Sequence, residues 1–166
     1  MPVVLILVLV AVPMLIEASV SRAHDAALRA AGAIEPRDDV YALMQFAYPG
    51  GFLLMAAESW WRRPELGAIG VGVGVFALAK ALKWWAMASL GHRWTFRVLV
   101  PPGSPLVRRG PYLRVRHPNY LAVLGELAGV ALALGAWWTG PLSMLGFGAL
   151  MWLRIRVEER ALGLRL

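Results

Sequence analysis

Two short stretches of the chain bring together side chains that could carry out chemistry. The first is RHPNY, which contains Arg116, His117 and Tyr120, and the second is RVEER, which contains Glu158 and Glu159. Guanidinium, imidazole, phenol and carboxylate groups can together hold a small ligand that carries both signs of charge. Neither stretch has the spacing of metal ligands, so we expect no metal. The chain has no cysteine, which excludes thiolate chemistry.

The composition indicates that these polar stretches belong to a membrane protein. The chain is 59% hydrophobic and only 16% charged, whereas soluble domains have about a quarter of their residues charged. Its eight tryptophans are typical of an interfacial aromatic belt. In a soluble protein, the net charge of +7 would favour nucleic-acid binding. Here the arginines flank apolar segments, so we expect membrane lipids as partners and no nucleic acid.

The hydrophobic pattern predicts an all-α integral membrane protein with a single domain, residues 1–166. A spanning helix needs about 20 mostly apolar residues. About five segments fit this length, namely Pro2–Val20, Val40–Ala57, Gly67–Leu90, Asn119–Trp138 and Pro141–Leu153. The first has no basic residues before it, which favours a retained helix over a signal peptide. The short WWTGP turn predicts that the fourth and fifth helices form an antiparallel hairpin.

Glycine and proline residues modify two of these predicted helices. We expect Pro49, Gly50 and Gly51 to bend or break the second helix. In the third helix, Gly70 and Gly74 form a GxxxG pair, which predicts close packing against another helix in lipid.

The lysines and arginines predict the orientation. Residues 21–39 hold three, residues 91–117 hold six and the tail after Leu153 holds four, whereas the opposite side holds only Arg62 and Arg63. Cytoplasmic loops carry the excess of positive charge, so we expect the N-terminus outside and the C-terminus in the cytoplasm. We therefore expect a multi-pass membrane protein with its polar site facing the cytoplasm.

Charged residues fall inside the predicted third and fourth spans. Lys80 and Lys83 lie in the half of the third span nearer the basic side, where we expect them to extend towards the headgroups. Glu126 lies about two turns into the fourth span, and we expect it to face protein and to pair with Lys80, Lys83 or a loop arginine. Glu126 is either a structural, protonated carboxyl or a functional base.

The helix ends near the basic side could form the reactive site. Pro118 is suited to the first turn of a helix, whose free amides attract anions. Arg154 and Glu158 are four residues apart, so both would lie on one helical face at the end of the fifth span. Carboxylates placed near hydrocarbon should meet cationic partners or a cationic ligand.

Three motifs together resemble the isoprenylcysteine carboxyl methyltransferase family of integral membrane methyltransferases. They are LGHRWTFRV, GPYLRVRHPNY and RIRVEERAL, which occur in that order between residues 90 and 162. The short chain is similar to compact bacterial members of the family. The resemblance implies an S-adenosylmethionine-dependent O-methyltransferase with a lipophilic acceptor, either a carboxylate such as a prenylated cysteine or a phenolic or pyrone lipid.

The resemblance also implies a role for individual residues. The cofactor site would be lined by Val107, Gly110, Tyr112, His117, Pro118, Tyr120 and Glu159. Arg116, Arg154 and Glu158 would face the reacting centre. A phenol, unlike a carboxylate, would profit from a base, and Glu126 with a pKa raised by burial could serve as one.

Other functions remain open at this point. RHPNY is also similar to membrane sterol reductases, which would imply a nicotinamide cofactor such as NADPH. The apolar helices would equally suit a module that binds lipid without catalysis. Among methyltransferases, phospholipid N-methylation is a further alternative.

Overall fold

The computed structural model describes residues 2–62, 65–103 and 105–163, and most of them are helical. The five α-helices are α1 (Pro2–Ala30), α2 (Tyr41–Arg62), α3 (Leu66–Leu90), α4 (Pro118–Leu134) and α5 (Thr139–Ala161). Two short 3₁₀ helices, Gly91–Arg93 and Gly110–Leu113, lie in the connection between α3 and α4. The all-α prediction is therefore confirmed.

Two helices in the described part of the chain are long and apolar enough to cross a membrane. They are Pro2–Ala30 and Leu66–Arg93, and Pro118–Leu134 is a shorter apolar helix. The number of five spans and the orientation of the termini stay predictions. Arg63, which entered the count of basic residues, lies outside the described residues, as does Arg165 in the tail.

The sequence predicts that the second helix bends or breaks at Pro49, Gly50 and Gly51, but the break does not occur. α2 runs through Pro49 without ending. Proline removes a single main-chain donor, which a helix packed among others can tolerate. Gly51 instead serves a contact between helices, because a Cβ there would lie 3.3 Å from the Cβ of Ser143 on α5.

The closest helix approach joins α3 to α4, at glycines that differ from the predicted pair. A Cβ on Gly72 would lie 2.2 Å from the main-chain nitrogen of Ala133, and one on Gly129 would lie 2.5 Å from that of Phe76. A Cβ on Gly70 or Gly74 would meet no atom of the described residues within 4 Å. The packing prediction for Gly70 and Gly74 is wrong, because Gly72 lies on the opposite face of α3, which is the buried one.

The predicted hairpin of α4 and α5 is confirmed, and a side chain of α2 binds the turn between these two helices. Gly135 ends α4 in the left-handed conformation, with φ at 62°. The carboxylate of Glu58 on α2 accepts hydrogen bonds from the main-chain nitrogen of Thr139, at 2.7 Å, and from the nitrogen of Trp138, at 3.2 Å. A carboxylate at a helix N-terminus satisfies free amides and is favoured by the helix dipole.

The basic segments lie together at the opposite end of the bundle from Glu58. The main chains of Ile34 and Val100 form a reciprocal pair of hydrogen bonds, which joins the α1–α2 loop to the α3–α4 connection. Arg160 near the end of α5 forms an ion pair with Asp38 of the α1–α2 loop. This arrangement agrees with the prediction that the three segments share one side.

Candidate active site

A cavity of about 340 Å³ opens at the end of the bundle where the basic segments meet. Pockets for small molecules are roughly 300–1,000 Å³ in volume, so a ligand of moderate size would fill it. Seven of the residues singled out in the sequence line it, namely Val107, Tyr112, Arg116, His117, Tyr120, Arg154 and Glu158.

The start of α4 and the end of α5 face each other across a set of hydrogen bonds. The Tyr120 hydroxyl donates to Oε2 of Glu158 at 2.8 Å. Nε2 of His117 lies 3.1 Å from Oε1 of Glu159, and its Nδ1 lies 3.7 Å from Oε2 of Glu158. Glu159 itself does not line the cavity, so it acts on the cavity through His117.

Arg154 reaches the cavity but is held on several sides by the protein. Its Nε donates to the Tyr120 hydroxyl at 3.0 Å, and its Nη1 donates to Oδ1 of Asp39 at 3.2 Å. Its Nη2 donates to the carbonyl of Phe96. Arg154 therefore ties α5 to both loops of this end of the bundle, and much of its hydrogen-bonding capacity is used in doing so.

The other two cavity residues implicated in the reacting centre are more open. The Arg116 side chain is 79% exposed and lies 3.9 Å from Glu159, so it can turn towards a ligand. The Glu158 side chain is 31% exposed, and it lines the cavity. Glu158 is thus the carboxylate at the cavity surface that a ligand can reach.

Gly110 and Pro118 lie behind the cavity surface and shape the chain there. Gly110 has a φ of +58°, and a Cβ at this position would lie 2.0 Å from the hydroxyl of Ser89. Glycine lets the 3₁₀ helix pack against α3 in a conformation that other residues rarely adopt. Pro118 is buried as the first residue of α4.

Tyr112 presents a neutral hydroxyl to the cavity. Burial, together with the negative charge of Glu158, raises the pKa of Tyr112 well above its usual value. The phenol therefore stays protonated at physiological pH and can donate a hydrogen bond.

The sequence analysis missed an ion-pair group that closes one side of the site. Nη1 of Arg97 lies 2.7 Å from Oε1 of Glu35, and its guanidinium lies 4.6 Å from the centre of the Tyr41 ring. Although burial opposes ionisation, hydrogen bonds from Arg97 and Arg29 hold the pKa of Glu35 below its usual value. Arg97 lies within LGHRWTFRV, which was the signal available in the sequence.

Glu126 does not line the cavity and belongs to a second polar group inside the bundle. This group, the buried tetrad, consists of Glu17 on α1, Lys80 and Lys83 on α3, and Glu126 on α4, all nearly inaccessible to solvent. Nζ of Lys80 lies 2.9 Å from both Oε1 of Glu17 and Oε2 of Glu126. Nζ of Lys83 lies 2.8 Å from Oε2 of Glu17 and 3.4 Å from Oε1 of Glu126.

The tetrad confirms one expectation about the charged residues within the spans and contradicts another. The predicted pairing of Glu126 with Lys80 or Lys83 is confirmed, and Tyr48 of α2 adds a hydrogen bond to the same carboxylate. The expectation that the lysines extend to the headgroups is wrong. Two buried carboxylates neutralise them within the bundle, which removes the reason for reaching water.

Comparisons with known proteins agree with the motifs around this site. The sequence model of the isoprenylcysteine carboxyl methyltransferase family matches residues 71–163. The chain is similar to the uncharacterized protein YpbQ of Bacillus subtilis, with 31% identity over 88% of each chain. It is also similar to an uncharacterized protein of Haemophilus influenzae, with 26% identity over 87% of this chain and 85% of the relative. No solved structure matches it.

Proposed function

The chain belongs to the isoprenylcysteine carboxyl methyltransferase family, and we propose that it moves a methyl group from S-adenosylmethionine to an oxygen of a lipophilic acceptor. Membership makes it a membrane methyltransferase in general terms. The finer proposal is a multi-pass enzyme of the bacterial inner membrane, whose cavity faces the cytoplasm. Its acceptor is a lipid or a prenylated chain that ends in a carboxylate or in an acidic hydroxyl group.

The observation that carries the proposal is the pairing of two helix ends around one cavity. His117 and Tyr120 at the start of α4 are bonded to Glu159 and Glu158 at the end of α5. A single small cavity is thereby supplied with a carboxylate, an imidazole, phenols and arginine. This set of groups fits a ligand that carries an amine, a carboxylate and hydroxyls.

The residues present fit S-adenosylmethionine, which when bound would supply a methyl group activated by a positively charged sulfur. Glu158 would hold positively charged groups of the cofactor. Tyr112, as a neutral donor, and the positive end of the α4 dipole would hold its carboxylate. Glu159 would keep the His117 ring in place from behind the cavity surface.

The chain's own contribution to catalysis would be positioning and the placement of charge. An acceptor carboxylate is already ionised, and the exposed guanidinium of Arg116 could attract it. An acceptor hydroxyl must lose a proton, and Glu158 is the carboxylate at the cavity surface that could receive it. Glu126 is less suited to that task, because both of its oxygens are engaged within the tetrad.

Calorimetric titration of the detergent-solubilised protein tests the cofactor. We expect S-adenosylmethionine to bind with one site per chain, and NADPH, the cofactor of the reductase alternative, to give no heat. A second measurement incubates host membranes with the protein and methyl-labelled S-adenosylmethionine, followed by mass spectrometry of lipids. Appearance of a labelled lipid supports methyl transfer, whereas NADPH binding or absence of any labelled product contradicts it.

A further inference from the structure

The N-terminal helix carries a polar stripe on its buried face. Glu17 and Ser21 are buried, and His24 is half-buried, although much of the rest of α1 is apolar and exposed. Their spacing of four and three residues places all three on one face of the helix. Buried polar groups need partners, so the contacts of this stripe indicate its purpose.

Two of the three side chains contact the main chain of one short segment. The hydroxyl of Ser21 accepts a hydrogen bond from the main-chain nitrogen of Phe96 at 2.8 Å. Nδ1 of His24 lies 2.7 Å from the carbonyl oxygen of Trp94, which is an acceptor, so this ring nitrogen carries the proton and donates it. Glu17, one turn before Ser21, is fixed by ion pairs with Lys80 and Lys83.

The contacted segment, residues 94–100, is a wall of the cavity. Six of its seven residues line the cavity, namely Trp94, Thr95, Arg97, Val98, Leu99 and Val100. The segment belongs to no helix or regular sheet among the described residues, so its main chain depends on partners elsewhere. Besides Ser21 and His24, these partners include Ile34, bonded to Val100, Asp39, which accepts from the nitrogen of Val98 at 3.3 Å, and Arg154, which donates to the carbonyl of Phe96.

We propose that Ser21 and His24 are positioning residues of the methyl-transfer site, and that α1 is thereby part of this site. The inference rests on the proposed function, because it takes S-adenosylmethionine as the ligand of the cavity. It extends the site beyond the residues that match the family, which begin at residue 71. Glu17 sets the depth of α1 in the bundle, and Ser21 and His24 then hold the wall in the form that binds the ligand.

Loss of either contact should lower ligand affinity more than it lowers global stability. Without Ser21 the amide of Phe96 is left without this partner, and the wall spends less time in its binding form. The apparent Kd is the intrinsic Kd divided by the fraction of protein that remains competent to bind, so it rises as that fraction falls. A hydrogen bond of ordinary strength corresponds to a change of roughly tenfold.

The test compares Ser21→Ala and His24→Phe with conservative and control variants of the full chain. Ser21→Thr keeps the acceptor oxygen, and His24→Asn keeps a donor near the position of Nδ1. Ser19→Ala is the matched control, because the Ser19 hydroxyl is exposed and, among the described residues, bonds only the carbonyl of Ile16 in its own helix. The measurements in detergent are the Kd for S-adenosylmethionine, the KM for this cofactor together with kcat, the unfolding temperature, and hydrogen exchange of the peptide that contains Phe96.

We expect Ser21→Ala and His24→Phe to raise the Kd and the KM for the cofactor roughly tenfold. Exchange at residues 94–98 should become faster, while kcat and the unfolding temperature stay near the wild-type values. Ser21→Thr and His24→Asn should recover most of the affinity, and Ser19→Ala should change nothing. Wild-type protein that binds no S-adenosylmethionine overturns the proposed function. If the wild type binds S-adenosylmethionine and Ser21→Ala changes neither the Kd nor the exchange at residues 94–98, this inference alone is overturned.

Discussion

The protein contains two polar groups of similar chemistry in different settings. At the cavity, Tyr120, Glu158 and Arg154 form a hydrogen-bonded set beside His117 with one side open, and the Glu158 side chain remains 31% exposed. In the bundle, the tetrad joins two carboxylates to two lysines and is closed, with Glu126 0% exposed. The open set has a side that faces the cavity, whereas the closed set is buried among the described helices.

The two groups differ in their access to the cavity, which Glu158 lines and Glu126 does not. Glu126 was the more conspicuous acid in the sequence, because it stands alone in an apolar helix. In the structure its charge is balanced by Lys80 and Lys83 on α3. Access to a cavity, rather than depth in the membrane, separates the two groups, and the following variants test this separation.

The largest effect is expected when the closed group loses one charge. Lys83→Met should lower the free energy of unfolding by about 3–5 kcal/mol, because a buried carboxylate then loses its partner. The double variant Glu17→Gln with Lys83→Met restores neutrality and should recover most of this loss. Thermal unfolding in detergent measures both, and equal stability of the single and double variants would contradict the pairing.

A substitution in the open group at the cavity should lower activity and leave stability unchanged. Glu158→Gln should reduce kcat/KM by about a hundredfold, because it removes the accessible negative charge of the cavity. The unfolding temperature should stay near the wild-type value. Glu65→Gln is the control, since Glu65 is exposed at the start of α3 and its side chain makes no capping hydrogen bond.

Glu126→Gln is the variant that sharpens this comparison. We expect it to lower the unfolding temperature, because it leaves the tetrad with an excess positive charge. If Glu126→Gln keeps the wild-type unfolding temperature but no longer transfers methyl groups, Glu126 is the base instead.

A smaller effect is expected from the contact between α3 and α4 that supports the tetrad. Gly72→Ala should destabilise the protein by about 1–3 kcal/mol, because its Cβ would meet main-chain atoms that cannot move aside. Gly74→Ala is the control on the open face of the same helix, and its higher helix propensity should leave stability equal or slightly raised. Thermal unfolding that does not distinguish the two variants would refute the assigned packing face.

The smallest effect is the pH dependence of stability that comes from the ion pair between Glu35, in the α1–α2 loop, and Arg97, which lines the cavity. The pKa of Glu35 is lower in the folded protein than in the unfolded chain, so its stabilising contribution is present above the unfolded value of about 4.3. The contribution is lost as the pH falls through the folded pKa, and a partly exposed pair is worth at most about 1 kcal/mol. Unfolding followed against pH should show this loss in the wild type and not in Glu35→Gln.

The fold could be predicted from the sequence because apolar runs of this length and the WWTGP turn leave few alternatives. Which face of each helix packs against its neighbours could not be predicted from the sequence. Gly70 and Gly74 match a packing motif, but it is Gly72 that lies in the α3–α4 contact. Its partner Gly129 is on another helix, and the sequence does not show that the two glycines meet.

The site could be predicted in part, because His117, Tyr120 and Glu158 lie in short motifs. Asp39, Ser21 and His24 are common polar residues in separate segments, and no spacing in the sequence links them to residues 94–98. Their roles follow from the way α1 and the α1–α2 loop fold over the α3–α4 connection. Contacts between distant segments are therefore what the sequence alone did not reveal.

The tetrad also constrains how the chain is assembled during synthesis. Lys80 follows Glu17 by 63 residues and precedes Glu126 by 46, so α3 leaves the ribosome with one of its two acidic partners still to be made. A lysine at the centre of a bilayer costs about 2.5–3.5 kcal/mol by insertion scales. We therefore expect Lys80 to pair first with Glu17 of α1, and the tetrad to close only after α4 has been made.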